Sequence, residues 1–212
     1  MFPFEIPPGT TAESFFLSVV PEAHRRRVPA RGGSGGGATN ERVEEYVLVA
    51  EIQGGDSFTY AVRGHEVNVT RGSEPALVWV SVAKQTLERF LHDWATEKRF
   101  VPKFQPRGDV ALFTDPRVLK RLTMVTGRVE LALPEFEGGR AAILVGAGGG
   151  KKIRISHEAD VTIEASVSTF ERMLAGTLAP DEAIAGTHVE ILGKKLIAMQ
   201  FAFALAPFFP LP

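Results

Sequence analysis

The stretch from Asp160 to Leu205, DVTIEASVSTFERMLAGTLAPDEAIAGTHVEILGKKLIAMQFAFAL, constrains the fold more tightly than any other part of the chain. Its first six residues alternate: Val161, Ile163 and Ala165 fall on one side and Asp160, Thr162 and Glu164 on the other, the period of a half-buried strand. Ser166 or Ser168 then offers a side-chain oxygen to the unpaired amides of a helix start, and Ser168 has Glu171 three residues on, the spacing of a capping box. Phe170, Met173 and Leu174 share one face of this short helix, and Gly176 suits the left-handed turn that closes it. Pro180 fits the first turn of a second short helix through Ala185, where its missing amide costs nothing. Alternation returns at Val189 and Ile191, a turn follows at Gly193, and a nearly all-apolar segment begins at Leu196. The local order is strand, helix, helix, strand, apolar helix.

That order, with D-V-T-I, the S-x-x-x-F-x-x-x-L-A-G of the first helix, L-x-P-x-x-A-x-x-G and the strand V-E-I-L-G, resembles the sterol carrier protein 2-like (SCP2-like) lipid-binding family. The chain departs at Ala165 and Thr187, where members commonly carry Gly or another residue. The resemblance implies an α+β fold of antiparallel sheets packed against short helices. It also implies an apolar tunnel between sheet and helices that the C-terminal segment helps to close. The lining it points to is Phe170, Met173, Leu174, Leu178, Ile184, Leu196, Met199 and Phe203.

An internal repeat extends the pattern upstream. Thr86–Leu91 lies over Thr169–Leu174 at an offset of 83, and the same offset sets Val78, Val80 and Val82 on Val161, Ile163 and Ala165. Asp115-Pro116 before Gly127–Leu131 parallels Ala179-Pro180 before Gly186–Ile191. Two pseudo-repeated SCP2-like units follow, at 41–136 and 137–212, behind an N-terminal helical arm and Gly/Ser linker at 1–40. The strand near 129–133 is expected to close the first unit, so that the two sheets lie edge to edge or share a strand. Within the first unit, Tyr46–Gly54, Ser57–Gly64 and Glu66–Gly72 read as a β-meander feeding a strand and helix at Ala76–Leu91. In the arm, Thr11 or Ser14 starts a helix carrying Phe15, Phe16, Val19 and Val20, which Pro21 limits or kinks. Arg25–Arg27 read as a solvated helix end. The charged segment from Trp94 to Gly108 is an extra stretch of the first unit, ahead of Asp115-Pro116.

Composition narrows the function. With Lys and Arg at 24 against Asp and Glu at 25, the net charge of −1 gives no overall field for nucleic acid or an anionic membrane. Cysteine is absent, which removes disulfides, thiolate metal sites and a Cys nucleophile and fits a reducing compartment. The start MFPFEIPPGTT lacks the basic and apolar regions of a signal peptide, so a cytoplasmic protein is expected. The apolar run from Leu196 is broken by Gln200 and Pro207, too short for the roughly 20 residues of a spanning helix. Peripheral membrane contact and a homodimer stay open.

No motif points to catalysis, metal or cofactor. Gly146–Lys152 imitates a phosphate loop, but Val145 and Lys152 stand where a Walker A loop needs Gly and Ser or Thr, and Lys151 stands where a dinucleotide fingerprint needs Gly. It reads as a hairpin turn between strands at 140–148 and 151–159. His24, His65, His92, His157 and His188 have no ligand spacing, and no G-x-S-x-G occurs. The expected function is non-catalytic binding or transfer of a hydrophobic ligand, such as a fatty acyl, sterol-like or isoprenoid lipid. The alternatives are an interaction or scaffold protein with a filled core, and an accessory subunit of a lipid- or quinone-modifying enzyme.

Overall fold

A computed structural model of the chain describes residues 6–27, 45–64, 66–97, 114–136 and 139–208. The Gly/Ser stretch, residue 65 and positions 98–108 of the charged insertion lie outside them. The fold is α+β. Eight strands form one mixed sheet: β1 Glu45–Gln53, β2 Ser57–Arg63, β3 Glu66–Arg71, β4 Val78–Ala83, β5 Thr126–Phe136, β6 Gly139–Gly148, β7 Val161–Ala165 and β8 Val189–Gly193. Their order is β3-β2-β1-β4-β6-β5-β7-β8.

The β1–β3 meander forms as its alternation requires, and β4 returns beside β1 in parallel, with Leu48 opposite Val78. On the other side β5 pairs antiparallel with β6 and parallel with β7, whose outer neighbour is β8. One antiparallel ladder, β4 with β6, joins the two groups. The strand expected to close the first unit therefore sits elsewhere: β5 lies between β6 and β7, out of reach of β4. Only Glu137 and Gly138 separate β5 from β6, and pairing across so short a connection costs little loop entropy. The boundary drawn after residue 136 falls between the paired residues Phe136 and Gly139.

Helices cover one face. Alternate residues of the strands, among them Leu48, Ala50, Phe58, Tyr60, Val78, Val82, Val129, Val145 and Val161, form the main core beneath them. The helix expected as a separate arm packs into this core through Phe15, Phe16, Val20 and Ala23. It runs as α1 Ala12–Ser14, a π-helical turn Phe15–Val19, and α2 Val20–Arg27. Pro21 neither ends nor limits it. The wide turn, closed by Val20 N–H on the Phe15 carbonyl, comes just before the proline and relieves the clash its ring makes with the preceding turn. Tyr60 Oη donates to the Phe16 carbonyl at 2.6 Å. His24, fully buried, bridges the Gly64 carbonyl through Nε2 and the Thr114 hydroxyl through Nδ1, both at 3.2 Å. Because a carbonyl only accepts, the proton sits on Nε2. Arg25 and Arg26 are exposed, and Arg26 pairs with Glu22.

The opposite face is covered by a strap rather than a strand. Residues 151–159 form no ladder; Ile153 alone bridges Ala76, with N···O distances of 2.8 and 2.9 Å. Gly149 and Gly150, at φ of 60° and 82°, turn the chain back over the sheet instead of into a neighbouring strand. Ile153 and Ile155 then pack on Val47, Val49, Ala76, Trp79 and Leu144. Trp79 lies directly across from Gly146, where a Cβ would stand 2.1 Å from indole Cε2. The glycine run serves this close passage.

The remaining helices are α3 Lys84–His92, continued by a π-helical turn Asp93–Glu97, then α4 Pro116–Leu122, α5 Val167–Leu174, α6 Pro180–Ala185 and α7 Lys195–Leu205. None among the described residues is long and apolar enough to cross a membrane. β4 with α3, and β7 with α5, start at the offset of 83 seen in the sequence.

Two substitutions test these constraints. Thr187 sits at φ 57°, a left-handed conformation costly for a β-branched residue, so Thr187→Gly should stabilise the protein by about 1 kcal/mol in a denaturant melt. Gly146→Ala should destabilise it by about 2 kcal/mol or more, because the methyl displaces the Trp79 ring, and tryptophan fluorescence should report the displacement.

Candidate functional site

The eight apolar residues expected to line a tunnel fall into three environments. α5 starts at Ser166, whose hydroxyl accepts from Thr169 N–H at 3.1 Å; Ser168 lies inside the helix, so its spacing to Glu171 makes no cap. The helix ends as Gly176 expected: Gly176 takes φ 72°, its N–H reaches the Met173 carbonyl, and Thr177 N–H reaches that of Arg172. This holds Phe170 and Leu174 against a cluster of Leu133, Phe136, Ala141, Ala165 and Phe90. Phe90 stacks on Phe136 at 4.8 Å and meets Phe170 edge-on at 6.3 Å, while the Arg89 guanidinium lies 5.2 Å from the Phe136 ring centroid. Met173 is half-buried on the same helix.

Leu178 is buried in the connection to α6, and Ile184 of α6 packs on the main core. The last three residues belong to α7. Its inner face, Ala198, Phe201, Ala202 and Ala204, is buried, whereas Leu196, Met199 and Phe203 are 68%, 42% and 56% exposed. Their i, i+3, i+7 spacing makes one apolar stripe facing solvent. Two surface cavities, of about 330 and 380 Å³, are lined elsewhere and touch none of the eight. Phe90 and Phe136 are the additions that sequence reasoning missed. Phe90 sits in the repeated Thr86–Leu91 segment, but only the hairpin tip at Phe136 brings it to Phe170.

Charged groups gather on the strap side of the sheet. Asp160 Oδ2 accepts from Arg128 N–H and Nε at 3.1 and 2.9 Å, and Oδ1 from Arg128 Nη2 and Lys194 Nζ at 3.2 and 2.8 Å. Hydrogen bonds from Arg128 and then Lys194 hold its carboxyl well below the usual carboxylate range. Arg128 also donates to Ser156 on the strap at 2.7 Å. Nearby, Arg140 forks onto Glu130 at 2.9 and 2.6 Å, reaches Glu164 at 3.4 Å, and holds Glu130 below its ordinary pKa. His157 and Ser81 meet Glu51 at 2.7 and 2.6 Å. These pairs cross between strands, strap and the entry to α7, so they pin register. His188 is exposed.

The family model of the SCP-2 sterol transfer family matches residues 109–206. These residues are SCP2-like. The match takes in α4 to α7 and strands β5 to β8, and so places β5 with the strands it bonds to. No curated protein matches the chain. Among solved structures, the chain is similar to palmitated SCP2L2 from Aedes aegypti, at 15% identity and TM-score 0.33, covering 44% of this chain and 96% of that one. It is similar to sterol carrier protein domain 2 of Helicoverpa armigera, at 17% identity and TM-score 0.33, covering 52% and 84%. A third is a UbiJ-SCP2 ubiquinone synthesis protein, at 14% identity and TM-score 0.29, covering 56% and 96%.

Within the SCP2-like segment, Asp160 ties β5, β7 and the entry to α7 together. Asp160→Asn should cost about 2 kcal/mol, since it strips charge from several hydrogen bonds at once. The sign follows from the lowered native pKa: the stabilisation is complete above the unfolded value and is lost as pH falls through the native one. Acid titration of stability below about pH 4 should therefore be shallower in Asp160→Asn than in the parent.

Proposed function

We propose that the protein binds or transfers a hydrophobic ligand without catalysing a reaction, and that the ligand site lies in the SCP2-like segment around α5, α6 and α7. The observation that carries this reading is the coincidence of the family match at 109–206 with an α7 whose two faces are both apolar. A helix that only sealed a core would need one. Burial of each ligand methylene is worth about 0.8 kcal/mol, enough to drive uptake with few polar contacts.

The inner face of α7 packs tightly, with Ile197 over Gly127 and Ala198 fully buried, so an acyl chain, sterol-like or isoprenoid ligand enters as α7 lifts from the sheet. Half-buried Ile184 of the neighbouring α6 then borders the opened space, with Phe170, Met173 and Leu174 of α5 farther along the same sheet, and a methionine thioether adapts to ligands of varied shape. The sheet supports two related units: β1 and β5 each have an antiparallel hairpin partner and a parallel neighbour followed by a helix. In this reading the first unit is the filled copy, its helical face covered by Phe15, Phe16 and Val20, and the second carries the ligand in the cytoplasm.

Displacement of a fluorescent fatty acid, with native mass spectrometry of the freshly purified chain, tests the proposal. Micromolar uptake supports it; no displacement and no co-purifying lipid leave the filled-core scaffold. Phe203→Asp should weaken uptake at least about fivefold while changing stability by no more than about 0.5 kcal/mol, because the side chain is mostly exposed. A large loss of stability with unchanged uptake would count against a ligand-facing α7.

A further inference from the structure

The net charge of −1 hides a strong local asymmetry. Residues 116–128, 146–157 and 191–208 contain no Asp or Glu, and the fold brings all three to one end of the sheet. Gly149 N–H donates to the Val125 carbonyl at 2.8 Å, Asp160 N–H to that of Arg128 at 2.9 Å, and Lys194 N–H to that of Asp160 at 3.1 Å. Ile197 of α7 covers Gly127, where a Cβ would meet it at 2.8 Å. Lys120, Met124 and Gly150 border a common groove.

The exposed cations at this end include Lys120, Arg121, Lys151, Lys152 and Lys195. None forms an ion pair among the described residues. Arg128 and Lys194 are already committed to Asp160. Among the described residues, the acids that border this end are Glu45, in the same groove, and Glu158. Among these cations stand the large apolar side chains left most exposed, Met124 at 70% and Leu196 at 68%, and from Leu196 the stripe runs on to Met199 and Phe203.

We infer that this end of the molecule, formed by the close of α4, the turn at 149–152 and the outer face of α7, is a docking surface for an anionic phospholipid bilayer. The chemistry selects this partner. Cations alone would suit any polyanion, but a nucleic acid takes Met, Leu and Phe only where its bases are unstacked at a cost, whereas a bilayer takes long apolar side chains between its headgroups while its phosphates meet the lysines. A second copy on a two-fold axis would bring like charges face to face. The docking stands apart from the carrier reading, since it needs only the outer face of α7 and not a lipid beneath it.

Flotation of the full chain with vesicles tests it, comparing pure phosphatidylcholine with a mixture containing phosphatidylserine. The protein should float with the anionic vesicles at about 0.1 M salt and be released at about 0.5 M, where screening shortens the reach of the lysines. Lys151→Glu with Lys152→Glu should weaken binding about tenfold or more, and Leu196→Ser should weaken it without altering the salt dependence, both at an unchanged melting temperature. Equal flotation with neutral vesicles, no flotation, variants that float like the parent, tighter capture of duplex DNA at the same salt, or a dimer abolished by Leu196→Ser would each overturn the inference. Fatty-acid displacement in vesicle-free solution reports separately on the carrier reading, so either can fail alone.

Discussion

The antiparallel ladder between β4 and β6 is the contact on which the rest of the architecture depends. Without it the strands separate into β3-β2-β1-β4 and β6-β5-β7-β8, each with an unsatisfied inner edge. The ladder runs from Val78 opposite Ala147 to Val82 opposite Ile143, and its two faces do different work. On the helical side Val78, Val82, Val145 and Ala147 join the main core. On the other, Trp79 can lie across the neighbouring strand only because position 146 has no side chain. The same ring then becomes the floor on which the strap rests.

From that join follows a division between a face that is packed and a face that is pinned. Helices bury the apolar side of every strand, so the burial of aromatic and aliphatic side chains there supplies most of the stabilisation. The strap side is secured at separate points, by Ile153 on Ala76, Ser156 on Arg128 and His157 on Glu51. Asp160 connects this network to the start of α7 through Lys194. The helix nearest the proposed ligand site is therefore anchored at its first residues by charge and along its length by apolar contact.

Much of the SCP2-like segment was legible because its signals are local. Alternation at Asp160–Ala165, a capping hydroxyl next to it, Gly176 and Pro180 each act within a few residues, and the structure realises them, with Ser166 the cap of the two candidate serines. The apolar pattern of β5 was equally clear, but its partner was not. Period-two alternation says which face a residue takes and nothing about which edge the strand joins. The segment 151–159 shows the opposite failure, since its Ile153 and Ile155 alternate as in a strand yet pack on a sheet face from above.

The sequence by itself determined the class of fold, the positions of nearly all strands and helices, the offset of 83 and the family of the second half, because all of these follow from local periodicity and short-range chemistry. Tertiary structure decided what periodicity cannot express. It merged two sheets into one, drew the N-terminal helix into the core through Phe16 and Val20, and separated eight apolar residues into three environments. It also gathered lysines from three acid-free segments around exposed Met124 and Leu196. A net charge is a sum over the chain, whereas a surface is a sum over neighbours, and only folding fixes who the neighbours are.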